Sequence, residues 1–248
     1  ITVTANSSVG QKVSTLVDFP GKYGELTFVE TNNENLNNHD VIFLALPHTQ
    51  SAEVAKYLSV DTLVLDCGAD YRLKSAEDYL KFYGAEHHGT WDYGLPELLT
   101  QSGKQRANLV GRKRIAVPGC NATAVTLAFA PLLASDLIEP EDLVSTLSVG
   151  TSGAGRNASV NVDGLNSAYA YQVGGTHRHI PEIRQNLEPL AKTKINLTFT
   201  PVLVPMFRGI LAVNTAKLRP GVVGSDVWDC FKAAYSNEPF IKLLDSDS

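Results

Sequence analysis

With 248 residues, 44% of them hydrophobic and 19% charged, the chain is long enough to bury a full core as one large domain or two modest ones. A formal net charge of −5 argues against a nucleic-acid partner, and an anionic substrate would have to be held by local donors rather than by the overall field. No apolar run approaches the roughly 18 residues of a transmembrane helix, the N-terminus carries no signal-peptide pattern, and three cysteines without close pairing speak for a reducing cytoplasm.

The opening stretch ITVTANSS reads as a β-branched strand running into a polar turn. Asp40 to Pro47, DVIFLALP, is a continuous apolar run of strand length, expected to be buried on both faces as in a parallel sheet. Helix-like SAEVAKYL and a second apolar run, TLVLDCG, complete a β-α-β unit. Another helix, SAEDYLKFYG, is followed by a loop rich in His, Gly and Pro over 86–103, a strand in RKRIAVPG and a helix in ATAVTLAFAPLLAS. From about Leu143 the pattern changes. LVSTLSVG, INLTFTPVLVP, RGILAVNTAKL and PFIKLL read as strands, with helices only near 181–191 and 225–235. The expected architecture is α/β: a partial Rossmann-like nucleotide-binding domain over 1–119, then an α+β domain over 120–248 with a mostly antiparallel sheet and helices on one face.

Three segments carry chemistry. Cys120 stands one residue past Gly119 at the mouth of a helix, where backbone N–H groups and the positive end of the helix dipole favour a thiolate. The alternative is a cysteine acting as a small buried hydrophobe, the reading given to Cys67 and Cys230. Gly119 is expected to permit the tight strand-to-helix turn. GTSGAGR, Gly150 to Arg156, is a loop whose backbone can approach a ligand closely, with Arg156 as a charged fork. THRHIPEI places two histidines around an arginine before a helix whose first turn carries Pro181 and Glu182; no further Cys or His pattern makes it a zinc site.

These segments, with FLALPH and LDCGADYRL upstream and FTPVLVPMFRGIL downstream, resemble the N-acetyl-gamma-glutamyl-phosphate reductases of arginine biosynthesis across essentially the whole chain. That family is similar to aspartate-semialdehyde and glyceraldehyde-3-phosphate dehydrogenases. The resemblance implies NADPH as hydride donor, Cys120 as nucleophile, a protonated His177 as general acid, and Asn121, Arg178, His179 and Arg208 at the substrate. It further implies Ser152 and Gly153 on the nicotinamide side, Pro47 and His48 at the nucleotide edge of the sheet, Thr4, Ser7 and Ser8 near an adenosine 2′-phosphate, and a homo-oligomer. Two departures stand out. Asn121-Ala122-Thr123 replaces the family's Tyr-Pro-Thr after the cysteine. The family's glycine-rich phosphate loop, expected before Ile1, and the C-terminal segment that returns to the nucleotide domain, expected beyond Ser248, are absent, so the sequence reads as the middle of a longer one. The rival readings are a related reductase acting on N-acetylaminoadipyl or aspartyl phosphate, and an inactive truncated domain kept for subunit contacts.

Overall fold

The computed structural model describes residues 1–17, 21–154 and 167–244. Arg156, the fork anticipated in the glycine-rich loop, lies outside them. The chain enters through β1 (Thr4–Ala5), which pairs in parallel with β2 (Val29–Glu30), and then forms α1 (Asn33–Leu36). Next come β3 (Val41–Leu44), α2 (Ser51–Ala55), β4 (Leu63–Asp66), α3 (Ala76–Tyr83) and β5 (Asp92–Tyr93). A small hairpin, β6 (Leu99–Thr100) and β7 (Gly103–Lys104), leads through α4 (Gln105–Leu109) to β8 (Arg114–Ala116).

The strands β3, β4, β8 and β5 form one sheet in the order β3-β4-β8-β5, parallel throughout. Short apolar strands alternating with helices favour this arrangement, because a parallel neighbour needs a crossover. β3 departs from the expectation of two buried faces. Ile42 and Leu44 are buried, but Val41 and Phe43 are 44% and 68% exposed. α3 has legible ends: the Ser75 side chain accepts the Asp78 N–H at its N-terminus, and Gly84 closes it with φ +67, a conformation that costs glycine little.

The second half begins with α5 (Cys120–Ala134) and continues through β9 (Leu143–Val149), β10 (Tyr169–Ala170), α6 (His179–Ala191), β11 (Leu197–Leu203), β12 (Ile210–Thr215) and α7 (Gly224–Tyr235). Its sheet runs β10-β11-β9-β12. The outer pairings are antiparallel, and the long central one, from Leu143 opposite Leu197 to Val149 opposite Leu203, is parallel because α6 carries the chain back between the two strands. α6 buries Ile180, Ile183, Leu187 and Leu190, spaced three or four residues apart on one stripe, against α5 and the sheet. α5 has no polar face and is correspondingly enclosed, with Val125 and Phe129 in the same core as Leu143, Leu147 and Phe199. Pro131 inside α5 has no N–H for the Leu127 carbonyl; the Tyr235 hydroxyl of α7 donates to that oxygen at 2.7 Å instead.

One expected strand is absent. PFIKLL forms no ladder: after α7 the chain turns twice, Glu238 N–H to Tyr235 O and Ile241 N–H to Glu238 O, and Phe240 is left 89% exposed with no strand beside it. Nor are Cys67 and Cys230 buried hydrophobes. Cys67 is exposed just past the end of β4, and Cys230 is half-buried on α7, its thiol beside the Ser135 hydroxyl.

Candidate active site

Strand β8 stops at Ala116, and after Val117, Pro118 and Gly119 the chain starts α5 with Cys120 as its first helical residue. Cys120 is exposed, and its sulfur lies 4.0 Å from Oδ1 of the buried Asn121. The turn is pinned from two directions. Arg72, buried, donates from Nε to the Val117 carbonyl at 2.6 Å and from Nη2 to the Cys67 carbonyl at 2.8 Å. Glu182, fully enclosed on the first turn of α6, accepts the Gly119 N–H at 2.8 Å and the Tyr93 hydroxyl at 2.7 Å, both on Oε1. Arg72 Nη1 stands 3.8 Å from Glu182 Oε2.

The reason for glycine at 119 differs from the expected one. Its φ of −68° and ψ of 143° are open to any residue, so the turn itself does not demand glycine. Space does: a methyl group there would lie 2.5 Å from His179 Nε2 and 2.9 Å from Glu182 Oε2.

The two histidines are adjacent and enclosed. His177 and His179 are 3% and 7% exposed, with ring centres 4.8 Å apart. His177 Nδ1 accepts the His179 backbone N–H at 3.1 Å, which puts the proton of the neutral His177 ring on Nε2. Burial, and then the neighbouring Arg178 charge, lower His177 from 6.5 to about 4. Burial likewise holds His179 well below its ordinary value, helped by the neighbouring His177, Arg72 and Arg178. With cations beside them and little water, both rings favour the neutral form.

His48 joins this neighbourhood. It follows the C-terminal end of β3, and its loop is held because Asp70, buried, accepts the Thr49 and Ala52 N–H groups at 2.6 and 3.0 Å. Burial and the Arg178 and Arg72 charges lower His48 to about 4, and its Nδ1 is buried without a partner among the described residues. Pro47 beside it is exposed. Thr4 lies in β1 and the polar residues Ser7 and Ser8 follow its C-terminal end, Ser7 exposed and Ser8 half-buried. At the end of β9, the Gly150 to Ser152 backbone bonds the 206–209 segment: Gly150 N–H to Gly209 O, Thr151 N–H to Met206 O and Ser152 N–H to Phe207 O. Ser152, Gly153 and Arg208 are thus neighbours by loop and all exposed, with Arg208 over the Phe207 ring at 5.1 Å. Among the described residues no hydrogen bond or ion pair joins these loops to Cys120 or the histidines.

The fold thus collects Cys120, Asn121, His177, Arg178, His179 and His48 around one turn, and sets Thr4, Ser7, Ser8, Ser152, Gly153 and Arg208 on separate loops. Sequence reading missed Arg72, Tyr93 and Tyr171 and took Glu182 only as a favourable helix start. The Tyr171 phenol, bonded to Asn121, has its ring 5.8 Å from that of His177, and burial raises its pKa. The available signal was Glu182 itself, an acid one turn beyond His179 on the same side of a helix.

A family model described as the semialdehyde dehydrogenase NAD binding domain matches residues 1–105, and one described as the semialdehyde dehydrogenase dimerisation domain matches residues 120–248. Over 250 residues the chain is 49% identical to N-acetyl-gamma-glutamyl-phosphate reductase of Leifsonia xyli subsp. xyli, an alignment covering 100% of this chain and 72% of that one. It belongs to the N-acetyl-gamma-glutamyl-phosphate reductase family. The Streptomyces coelicolor member is also 49% identical, covering 98% of this chain and 70% of its own. Among solved structures, aspartate semialdehyde dehydrogenase with NADP from Candida albicans superposes with a TM-score of 0.62 at 17% identity, over 92% of this chain and 67% of that one; it shares the fold of this reductase family member.

Proposed function

We propose that the chain carries out the NADPH-dependent reduction of N-acetyl-L-glutamyl 5-phosphate to N-acetyl-L-glutamate 5-semialdehyde and phosphate, in arginine biosynthesis, through a thioester on Cys120. The observation that carries this reading is an exposed thiol on the first residue of α5 with a neutral imidazole nitrogen packed against the glycine before it.

A neutral imidazole accepts the Cys120 proton as sulfur attacks the acyl phosphate carbonyl; phosphate leaves and the thioester forms. The imidazolium so made then supplies the proton to the carbonyl oxygen when the thioester carbon is reduced, and collapse of the thiohemiacetal frees the aldehyde and the sulfur. The approach of His179 Nε2 to Gly119 supports His179 as the partner of the thiol. His177, whose Nδ1 is engaged, keeps its Nε2–H for the substrate, an exchange of the roles expected from the sequence. Arg178, whose charge is felt by His48, His177 and His179, and Arg208 would hold the carboxylate or phosphate.

The residues present fit NADP. The N-terminal strand and turn, Thr2 to Val9, carry hydroxyls and no carboxylate of their own, which supports a 2′-phosphate on Thr4, Ser7 and Ser8. The unpartnered buried His48 Nδ1 offers a polar contact at the carboxyl end of β3, with Pro47, and Ser152 with Gly153 would line the nicotinamide side. NADPH, when bound, supplies the hydride. This reading assigns residues 1–119 to the nucleotide and 120–248 to catalysis and subunit pairing. Exposed Leu211 and Val213 on one face of β12 support a second copy of the chain as partner. No helix among the described residues is long and apolar enough to cross a membrane, and free cysteines support the cytoplasm.

The test runs the reaction backwards. NADP reduction by N-acetylglutamate semialdehyde, read as NADPH absorbance, is expected to be sustained with phosphate or arsenate and to stop near one turnover per site without them. Sustained turnover with neither anion would replace the reading with a hydrolytic aldehyde dehydrogenase.

A further inference from the structure

Glu182 has no exposed surface, yet it does not serve its own helix: among the described residues its carboxylate bonds Gly119 and Tyr93 and faces Arg72, and it takes no N–H of α6. A buried carboxylate needs other groups to offset its burial: here Oε1 takes two hydrogen bonds, while Oε2 has no hydrogen-bond partner among the described residues and faces the Arg72 guanidinium, and these groups come from three separate places in the chain. Gly119 brings the backbone N–H that immediately precedes the nucleophile, Tyr93 brings the hydroxyl at the end of β5, and Arg72 brings a guanidinium from beyond β4. Arg72 in turn grips the Val117 carbonyl, so the segment between β8 and α5 is held at one end by Arg72 and at the other by Glu182, and these two face each other at 3.8 Å.

Glu182 follows His179 by three positions, which stacks the two side chains on one face of α6. Its Oε2 and His179 Nε2 both lie within 3 Å of the point where a side chain on residue 119 would begin. The carboxylate therefore fixes one distance that matters: how far the residue before Cys120 stands from the imidazole. We propose that Glu182 is a positioning residue, whose carboxylate, shared among Gly119, Tyr93 and Arg72, sets the turn that presents Cys120 to His179. This rests on the thioester reading above. A bond to backbone holds the turn whatever residue occupies the position, so neither Cys120 nor His179 has to be touched directly for the geometry to be kept.

The experiment compares Glu182→Ala, Glu182→Gln and Tyr93→Phe with the unaltered chain. Folding is followed by circular dichroism, Cys120 alkylation by iodoacetamide with peptide-resolved mass spectrometry, and kcat and KM by NADP reduction with the aldehyde and phosphate. In folded Glu182→Ala, kcat is expected to fall about 10²-fold, the scale of a 1 Å misplacement, with KM changed less than about threefold. The Cys120 alkylation rate should move by about fivefold or more, a readout that needs neither cofactor nor turnover. Glu182→Gln keeps an oxygen for the Gly119 N–H and should recover most of both losses; Tyr93→Phe removes one donor and should lower kcat by about threefold to tenfold. Folded Glu182→Ala with unaltered kcat and alkylation overturns the proposal, as does a Gln variant no better than Ala. If the Ala variant does not fold, an unaltered Tyr93→Phe overturns it. Cys120→Ser run alongside separates the two ideas: turnover there sinks the thioester, whereas a dead Cys120→Ser beside a fully active Glu182→Ala sinks only the positioning role.

Discussion

Replacing Gly119 by alanine adds one methyl group at the most crowded point of the site. The backbone there is extended, with φ −68°, so alanine meets no conformational objection, and its smaller unfolded-state entropy should favour folding by about 0.4–1 kcal/mol. The space is another matter. The new carbon would sit 2.5 Å from His179 Nε2, 2.8 Å from its Cε1 and 2.9 Å from Glu182 Oε2, roughly 1 Å inside ordinary contact. Neither neighbour has room to withdraw, since His179 is 7% exposed and Glu182 not at all. Overpacking of this kind typically costs about 1–3 kcal/mol, leaving a net loss centred on about 1.3 kcal/mol, and at most about 2.6 kcal/mol, after the backbone gain. The imidazole or the turn must move by a comparable distance, which predicts a fall in kcat of about 10²-fold. Urea unfolding followed by circular dichroism measures the first quantity and NADP reduction the second. Gly224→Ala is the control: it lies at the start of α7 with open space around it, so it should unfold at or above the original midpoint. A Gly119→Ala protein with unchanged midpoint and kcat within about twofold would refute the reasoning.

Acid should destabilise the fold through its buried histidines. The unfolded chain holds a proton on the His177 ring up to pH 6.5 and the folded one only up to about 4, so between these values the unfolded state binds more protons and stability falls as pH is lowered. The loss from this ring is about 3 kcal/mol by the lower end, with His179 shifted in the same direction; urea midpoints at a series of pH values that stay flat across the window would contradict it. Iodoacetamide should modify Cys120 well before Cys67, whose thiol is pushed up by its own burial and by the Asp66 charge although the residue reaches the surface; peptide mapping after short exposure decides, and equal labelling would count against it.

How much of this was legible in the sequence depends on whether the cause was local. The strands β3, β4 and β8 show as apolar runs because half or more of each is buried, and α3 shows because Ser75 and Gly84 mark its ends with side-chain and backbone chemistry of their own. Cys120 could be found because a glycine and a helix start are visible in neighbouring letters. PFIKLL failed as a strand because alternation says nothing about whether a partner edge is free. The parallel pairing of β9 with β11 was hidden for a related reason: direction is decided by where α6 returns the chain, which sets Leu197 opposite Leu143, 54 positions earlier. Glu182 read only as a favourable helix start, and Arg72 was not singled out at all. What makes them part of the site is that each bonds backbone far away in the chain, Glu182 at a separation of 63 residues from Gly119 and Arg72 at 45 from Val117.

The proline inside α5 has a meaning for assembly of the fold. A helix whose carbonyls are all engaged offers its neighbours only apolar bumps, and bumps repeat every turn, so a second helix packed on it can slide by one turn at small cost. Pro131 leaves a single carbonyl, that of Leu127, open at one height on one side, and the Tyr235 hydroxyl is the group that reaches it. The pair works as a key and its keyhole: a slip of α7 by one turn would strand both a hydroxyl and a carbonyl away from water, so a break in one helix becomes the mark by which the other finds its place.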